Sequence, residues 1–102
     1  MQSLRGLIAN SPDFSRGLLL HREDGVRQLG IEMLRENPGP AGELVCVELL
    51  GHDNPRIRAA ALSALYRQDG QTASRELVDV VLFRLRDEDN EVRLAAVRCL
   101  VE

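Results

Sequence analysis

The side chains able to carry chemistry are few and widely spaced. Two histidines (His21, His52), two cysteines (Cys46, Cys99) and Ser63 are the groups a nucleophilic or metal-dependent site would draw on. Ser63 lies in a helical stretch with no histidine placed to act as its base. Cys46 and Cys99 each sit inside an apolar run and form no disulfide framework, which predicts buried free thiols in a reducing, cytoplasmic setting. The glycines are scattered at the boundaries of apolar segments, so there is no glycine-rich loop to cradle a phosphate. No cysteine or carboxylate column accompanies the two histidines to complete a metal site. The expectation is therefore a binding protein, not an enzyme, with no catalytic residues, no metal and no cofactor.

The remaining polar chemistry is arginine. All 13 basic residues are Arg, against 16 acids, for a net charge of -3. Arg pairs with carboxylates through a planar fork. Its exclusive use also fits a GC-rich, bacterial source. Mild acidity makes nucleic acid an unlikely partner. The length of 102 residues suits a single domain, 1–102, with a self-sufficient core. Aromatics make up only 3% of a chain that is 44% hydrophobic, so that core must be aliphatic. The N-terminal stretch lacks the apolar region of a signal peptide. Apolar runs such as Leu44 to Leu50 and Val78 to Phe83 are broken by Glu48 and Asp79 and fall far short of the ~18 residues of a spanning helix, so no membrane insertion is expected.

What positions these groups is an internal repeat. Val26-Arg27-Gln28-Leu29-Gly30-Ile31-Glu32-Met33-Leu34 aligns without gaps on Ile57-Arg58-Ala59-Ala60-Ala61-Leu62-Ser63-Ala64-Leu65, and both align on Val92-Arg93-Leu94-Ala95-Ala96-Val97-Arg98-Cys99-Leu100. Each segment opens on a β-branched residue and then an arginine: Arg27, Arg58, Arg93. A small column follows (Gly30, Ala61, Ala96), then two large aliphatic columns ending in Leu34, Leu65 and Leu100. That periodicity is one face of a helix, and the small column lets a neighbouring helix come close.

An apolar helix precedes each segment: Pro12 to Leu20, Pro40 to Leu50 and Ala73 to Arg86. The repeats are therefore expected at about 12–36, 40–67 and 73–102, with a further turn or two of helix at 3–9. Ser11, Asn54 and Asp89 stand where N-caps belong, and Pro12, Pro40 and Pro55 at first helical positions. Longer links at 37–39 and 68–71 join the units.

A leucine-rich helix, an acid or histidine, a short turn, then Val-Arg and a helix rich in small residues resembles the HEAT repeat. "LLGHDNPRIRAAALSAL" and "LRDEDNEVRLAAVRCL" carry the resemblance most closely, and "LLLHREDGVRQLGIEML" less so. The short period is similar to bacterial HEAT-like repeats of the phycobilin-lyase type. The resemblance covers residues 12 to 102 and implies an all-α, armadillo-like α-solenoid of about three helix–turn–helix repeats.

It also implies a structural ladder of Arg27, Arg58 and Arg93 against an acid column. That column holds His21, His52 and Asp87, so only the third repeat keeps the carboxylate. Asp87 is expected to pair with Arg58 across the repeat boundary, and His52 to offer a weaker, neutral, pH-sensitive acceptor. Stacking puts the two histidines roughly 8–10 Å apart, too far for one zinc ion with ligands near 2.0–2.1 Å. The His-Glu pairs of the iron-dependent hydroxylase branch do not occur. The aromatic-rich basic groove of HEAT-like DNA glycosylases has no counterpart where Phe14, Tyr66 and Phe83 are the only aromatics.

For function, the resemblance implies a protein-interaction scaffold or adaptor that binds through its second helices. An accessory module of the phycobilin-lyase type and a nucleic-acid-binding HEAT-like domain are the alternatives. Residues off the core face of the second helices recur in columns that align into one surface. Arg35, Tyr66, Leu94 and Arg98 are the expected partner-binding stripe, with Leu94 and Val101 as exposed apolar groups near Tyr66. The outer helices, with Glu43, Glu48, Arg75 and Asp79, are the competing face. Val97, Leu100 and Val101 on the last helix suggest self-association or continuation into a longer array.

Overall fold

A computed structural model describes residues 11–36, 39–66 and 75–101. The expected extra helix at 3–9, and most of the links at 37–39 and 68–71, lie outside these residues. Among the described residues there are six α-helices and no strands. They are α1 (Pro12–Leu19), α2 (Asp24–Glu36), α3 (Pro40–Leu49), α4 (Pro55–Leu65), α5 (Arg75–Phe83) and α6 (Asn90–Val101). The described residues thus form an α-solenoid of three HEAT-like helical hairpins.

The helix starts follow their caps. Ser11 Oγ accepts from Phe14 N–H at 3.4 Å, and Asn54 Oδ1 from Arg56 N–H at 2.9 Å. Asp89 Oδ1 takes both Glu91 N–H and Val92 N–H, at 2.9 and 3.1 Å. Each removes orphan donors from a first turn. The third repeat departs from the expected helix 73–86. α5 ends at Phe83 and tightens into a 3₁₀ turn, Arg84–Arg86, while 73–74 fall outside the described residues. Tightening of this kind is common at helix C-termini.

The hairpins stack in two layers. The second helices α2, α4 and α6 pack side by side, and the first helices lie behind them. α1 and α3 pack on each other, whereas α3 and α5 make little contact, so α4 against α6 carries the join between repeats 2 and 3. The core is aliphatic throughout, centred on Leu19, Val45, Leu62 and Val92, and all three aromatics lie outside it. The small column works by close approach. Ala61 and Ala96 are fully buried, and a Cβ on Gly30 would stand 2.8 Å from Leu18 Cβ, inside any permitted contact. Among the described residues no helix is long and apolar enough to cross a membrane.

Candidate functional site

The arginine column has a constant part and a variable part. In every repeat the arginine reaches back six residues to a main-chain carbonyl and pins the turn before its helix. Arg27 Nη1 donates to His21 O at 2.6 Å, Arg58 Nη1 to His52 O at 2.7 Å and Arg93 Nη1 to Asp87 O at 2.8 Å. The acid column makes a constant contact too. Asp87 Oδ1 accepts from Asp89 N–H at 2.9 Å, and the Nδ1 atoms of His21 and His52 accept from Glu23 and Asn54 N–H at 3.1 and 3.0 Å. Imidazole nitrogen here replaces carboxylate oxygen as the acceptor that closes an Asx-like turn.

The variable part is the rest of the guanidinium. Arg58 Nε and Nη2 each meet an Asp87 oxygen at 2.9 Å, a bidentate pair across the repeat boundary. Both side chains are buried, 8% and 2% exposed, and Arg84 Nη1 adds a contact to Asp87 Oδ2 at 3.3 Å. Burial alone would raise the Asp87 carboxyl. The Arg58 hydrogen bond, the Asp89 N–H and Arg84 outweigh it and hold the group at about 2. Arg58 is pushed up in turn, chiefly by its hydrogen bond to Asp87. Arg27 does not reach His52. It turns back onto Asp24 one helical turn earlier, which corrects the expectation that His52 would accept from an arginine.

The expected stripe is partly assembled. Arg35, Tyr66 and Arg98 line one hollow of about 260 Å³ together with Ser63 and Ala95, so side chains of α2, α4 and α6 converge there. Leu94 is 49% exposed but is not among its lining residues; its neighbour Ala95 is. Arg35 is fixed in place: its Nε donates to Ser63 O at 2.8 Å and its guanidinium stacks over the Tyr66 ring, 5.3 Å from the centroid. The repeat columns gave no sign of the Ser63 bond, because a main-chain acceptor leaves no trace in residue type. A second hollow, about 320 Å³, shares Ser63 and runs toward the helix starts past Gln28 and Ala59.

Other candidate groups are absorbed by structure. Cys46 and Cys99 form no disulfide, and Cys46 is buried and Cys99 partly so. Cys99 Sγ donates to Leu62 O at 3.0 Å, and burial pushes its thiol up to about 11, outweighing the nearby Arg35 charge. It is protonated at neutral pH and a poor nucleophile. Among the outer-face residues, Glu48 pairs with Arg16 at 2.7 Å, tying α1 to α3. Among the described residues no three His, Cys, Asp or Glu side chains converge on a metal-sized site.

Comparison with curated proteins and with solved structures gives no match. Residues 77–102, from α5 to the end of α6, match the HEAT repeat family model, and the first two hairpins share their arginine, small and leucine columns with that third one.

Proposed function

We propose that this chain is a protein-binding scaffold that holds its partner on the face of α2, α4 and α6. The partner segment is acidic with apolar neighbours. One observation carries this reading. Arg16, Arg27, Arg58 and Arg84 each meet a carboxylate. Among the described residues Arg35 meets a carbonyl and an aromatic ring, both neutral, and stands beside Arg98 in a hollow lined by no acid. A positive charge already held in one geometry and not neutralised is suited to a carboxylate, since little side-chain entropy remains to be lost on binding. Tyr66 adds a rigid aromatic surface of the kind interface anchors use. HEAT repeats generally mediate protein interactions, in accord with this reading.

The test begins with affinity capture from the native host and continues with the captured partner. Tyr66→Ala and Arg98→Glu should each abolish binding with helical content and melting temperature nearly unchanged. Leu94→Glu should weaken it less, since Leu94 stands outside the hollow. If these variants bind normally while Glu43 or Asp79 substitutions abolish binding, the outer helices are the binding face. Binding of a bilin, or of an oligonucleotide with steep loss as salt rises, would favour a different function.

A further inference from the structure

The hollow lined by Arg35, Ser63, Tyr66, Ala95 and Arg98 holds two cations and no acid. Arg35 uses its Nε on Ser63 O and its flat face on the Tyr66 ring. Among the described residues its Nη atoms make no hydrogen bond. Arg98 is exposed, and among the described residues no acceptor meets its guanidinium. The molecule itself shows what one carboxylate does between two arginines. Asp87 takes Nε and Nη2 of Arg58 at 2.9 Å each. Its second arginine, Arg84, is held through a single nitrogen at 3.3 Å. Two planar oxygens thus satisfy one fork and leave the other loosely held.

We propose that this hollow takes a phosphorylated residue of the protein partner, its phosphoryl group set between Arg35 and Arg98, so that phosphorylation of the partner strengthens binding. The inference rests on the partner face described above and concerns which anion that face selects. A phosphoryl group carries a charge of about −1.5 to −2 at neutral pH and offers three acceptor oxygens in a tetrahedral array. It can therefore serve two forks at once and offset both charges, where a carboxylate offsets one. The flanking chain has room to leave along α4, because the adjoining hollow shares Ser63 and continues past Ala59 and Gln28. A phosphate of a nucleic acid backbone fits less well. It is a diester with a single charge, and its many neighbours meet a chain of net charge -3.

The experiment titrates the isotope-labelled full chain with three end-blocked tripeptides: Leu-phosphoserine-Leu, Leu-Asp-Leu and Leu-Ser-Leu. The phosphoserine peptide should shift the Nε–H signals of Arg35 and Arg98 saturably and bind about tenfold more tightly than the aspartate peptide. Arg98→Gln should remove that difference with the melting temperature unchanged. Lowering the pH from 7 to 5 should weaken the phosphoserine peptide several-fold, since its second proton returns at about pH 6. The aspartate peptide should hold its affinity over that range. Equal or tighter binding of the aspartate peptide, or a phosphoserine affinity that ignores pH, overturns the proposal. Inorganic phosphate bound as tightly as the phosphopeptide also overturns it, in favour of a site for the free ion. If both acidic peptides bind alike and both need Arg98, the partner face stands and only the phosphoryl assignment falls. If neither shifts any signal of α2, α4 or α6, both fall.

Discussion

Between repeats 2 and 3 the seam closes on a buried bidentate ion pair, with a partly buried thiol bonded to a carbonyl further along the helices. Between repeats 1 and 2 it closes at its two rims. Arg16 pairs with Glu48 on the outer layer, and Arg35 donates to Ser63 O at the far ends of the second helices. The arginine column is the same in both. What differs is the residue three positions before each arginine: Asp24, Pro55 and Asn90. Asp24 lies one turn from Arg27 and captures it. Pro55 has no acceptor side chain, so the fork of Arg58 remains for Asp87. A rung across the boundary therefore needs a carboxylate in the next repeat and also no competitor within its own helix.

Removing the buried rung is the strongest way to break this contrast. Asp87→Ala strips the partner from a buried guanidinium and should cost ~3–5 kcal/mol. Asp53→Ala removes an exposed turn carboxylate and should stay within ~0.5 kcal/mol. A double-mutant cycle of Asp87→Ala with Arg58→Met that shows no coupling would sink the assignment. The same pair sets a pH dependence. Asp87 titrates at about 2 in the fold against an ordinary 3.8, so its stabilisation is fully present above about pH 4 and is lost as pH falls toward 2. Asp87→Asn should remove that portion of the acid unfolding curve.

Much of this seam was legible in the sequence. Aligned columns put Arg58 and Asp87 in adjacent repeats, and the N-caps at Ser11, Asn54 and Asp89 follow from residue type and position. The other seam was not legible. Column patterns record which residue types recur, not which of two nearby acceptors an arginine takes, so the turn of Arg27 onto Asp24 was missed. The acid column makes His52 a weak partner for arginine by position, whereas both histidines close their own turns through Nδ1, a local bond made before any stacking is considered. The stripe was legible to the extent that Arg35 and Tyr66 share one column of the stacked second helices and Arg98 stands in the next, and all three line one hollow. Leu94 is exposed and stands outside that hollow, which its neighbour Ala95 lines.

A smaller effect tests whether close approach, and not polar bonding, sets the register of the hairpins. Ala61→Leu should cost ~1–3 kcal/mol by overpacking, and Ala96→Leu a comparable amount. Gly30→Ala sharpens the point, because two effects oppose one another. Alanine gains ~1 kcal/mol of helix propensity over glycine. The new methyl must then displace Leu18 at its Cβ, 2.8 Å away, where no flexible tip can give way. The clash should win and the melting temperature should fall. A rise in melting temperature for Gly30→Ala, or no change for both leucine variants, would show that the helices are less closely seated than described.

The smallest effect tests the competition itself. His52→Asp restores a carboxylate to the acid column opposite Arg27, and an aspartate there can still accept from Asn54 N–H, as Asp87 does from Asp89 N–H. If column identity alone made the rung, this variant would be clearly stabilised. Because Arg27 is already held by Asp24, the expected change is within ~0.5 kcal/mol. Asp24→Pro copies Pro55 at the first helical position and should release the guanidinium. The two substitutions together should then be more stable than the sum of their separate effects, with a coupling of ~0.5–3 kcal/mol that vanishes when Arg27 is replaced by Met. Chemical denaturation of the four corners of the cycle reads this directly. A large gain from His52→Asp alone would mean that Asp24 does not hold Arg27, and that the two seams differ only by the residue in the acid column.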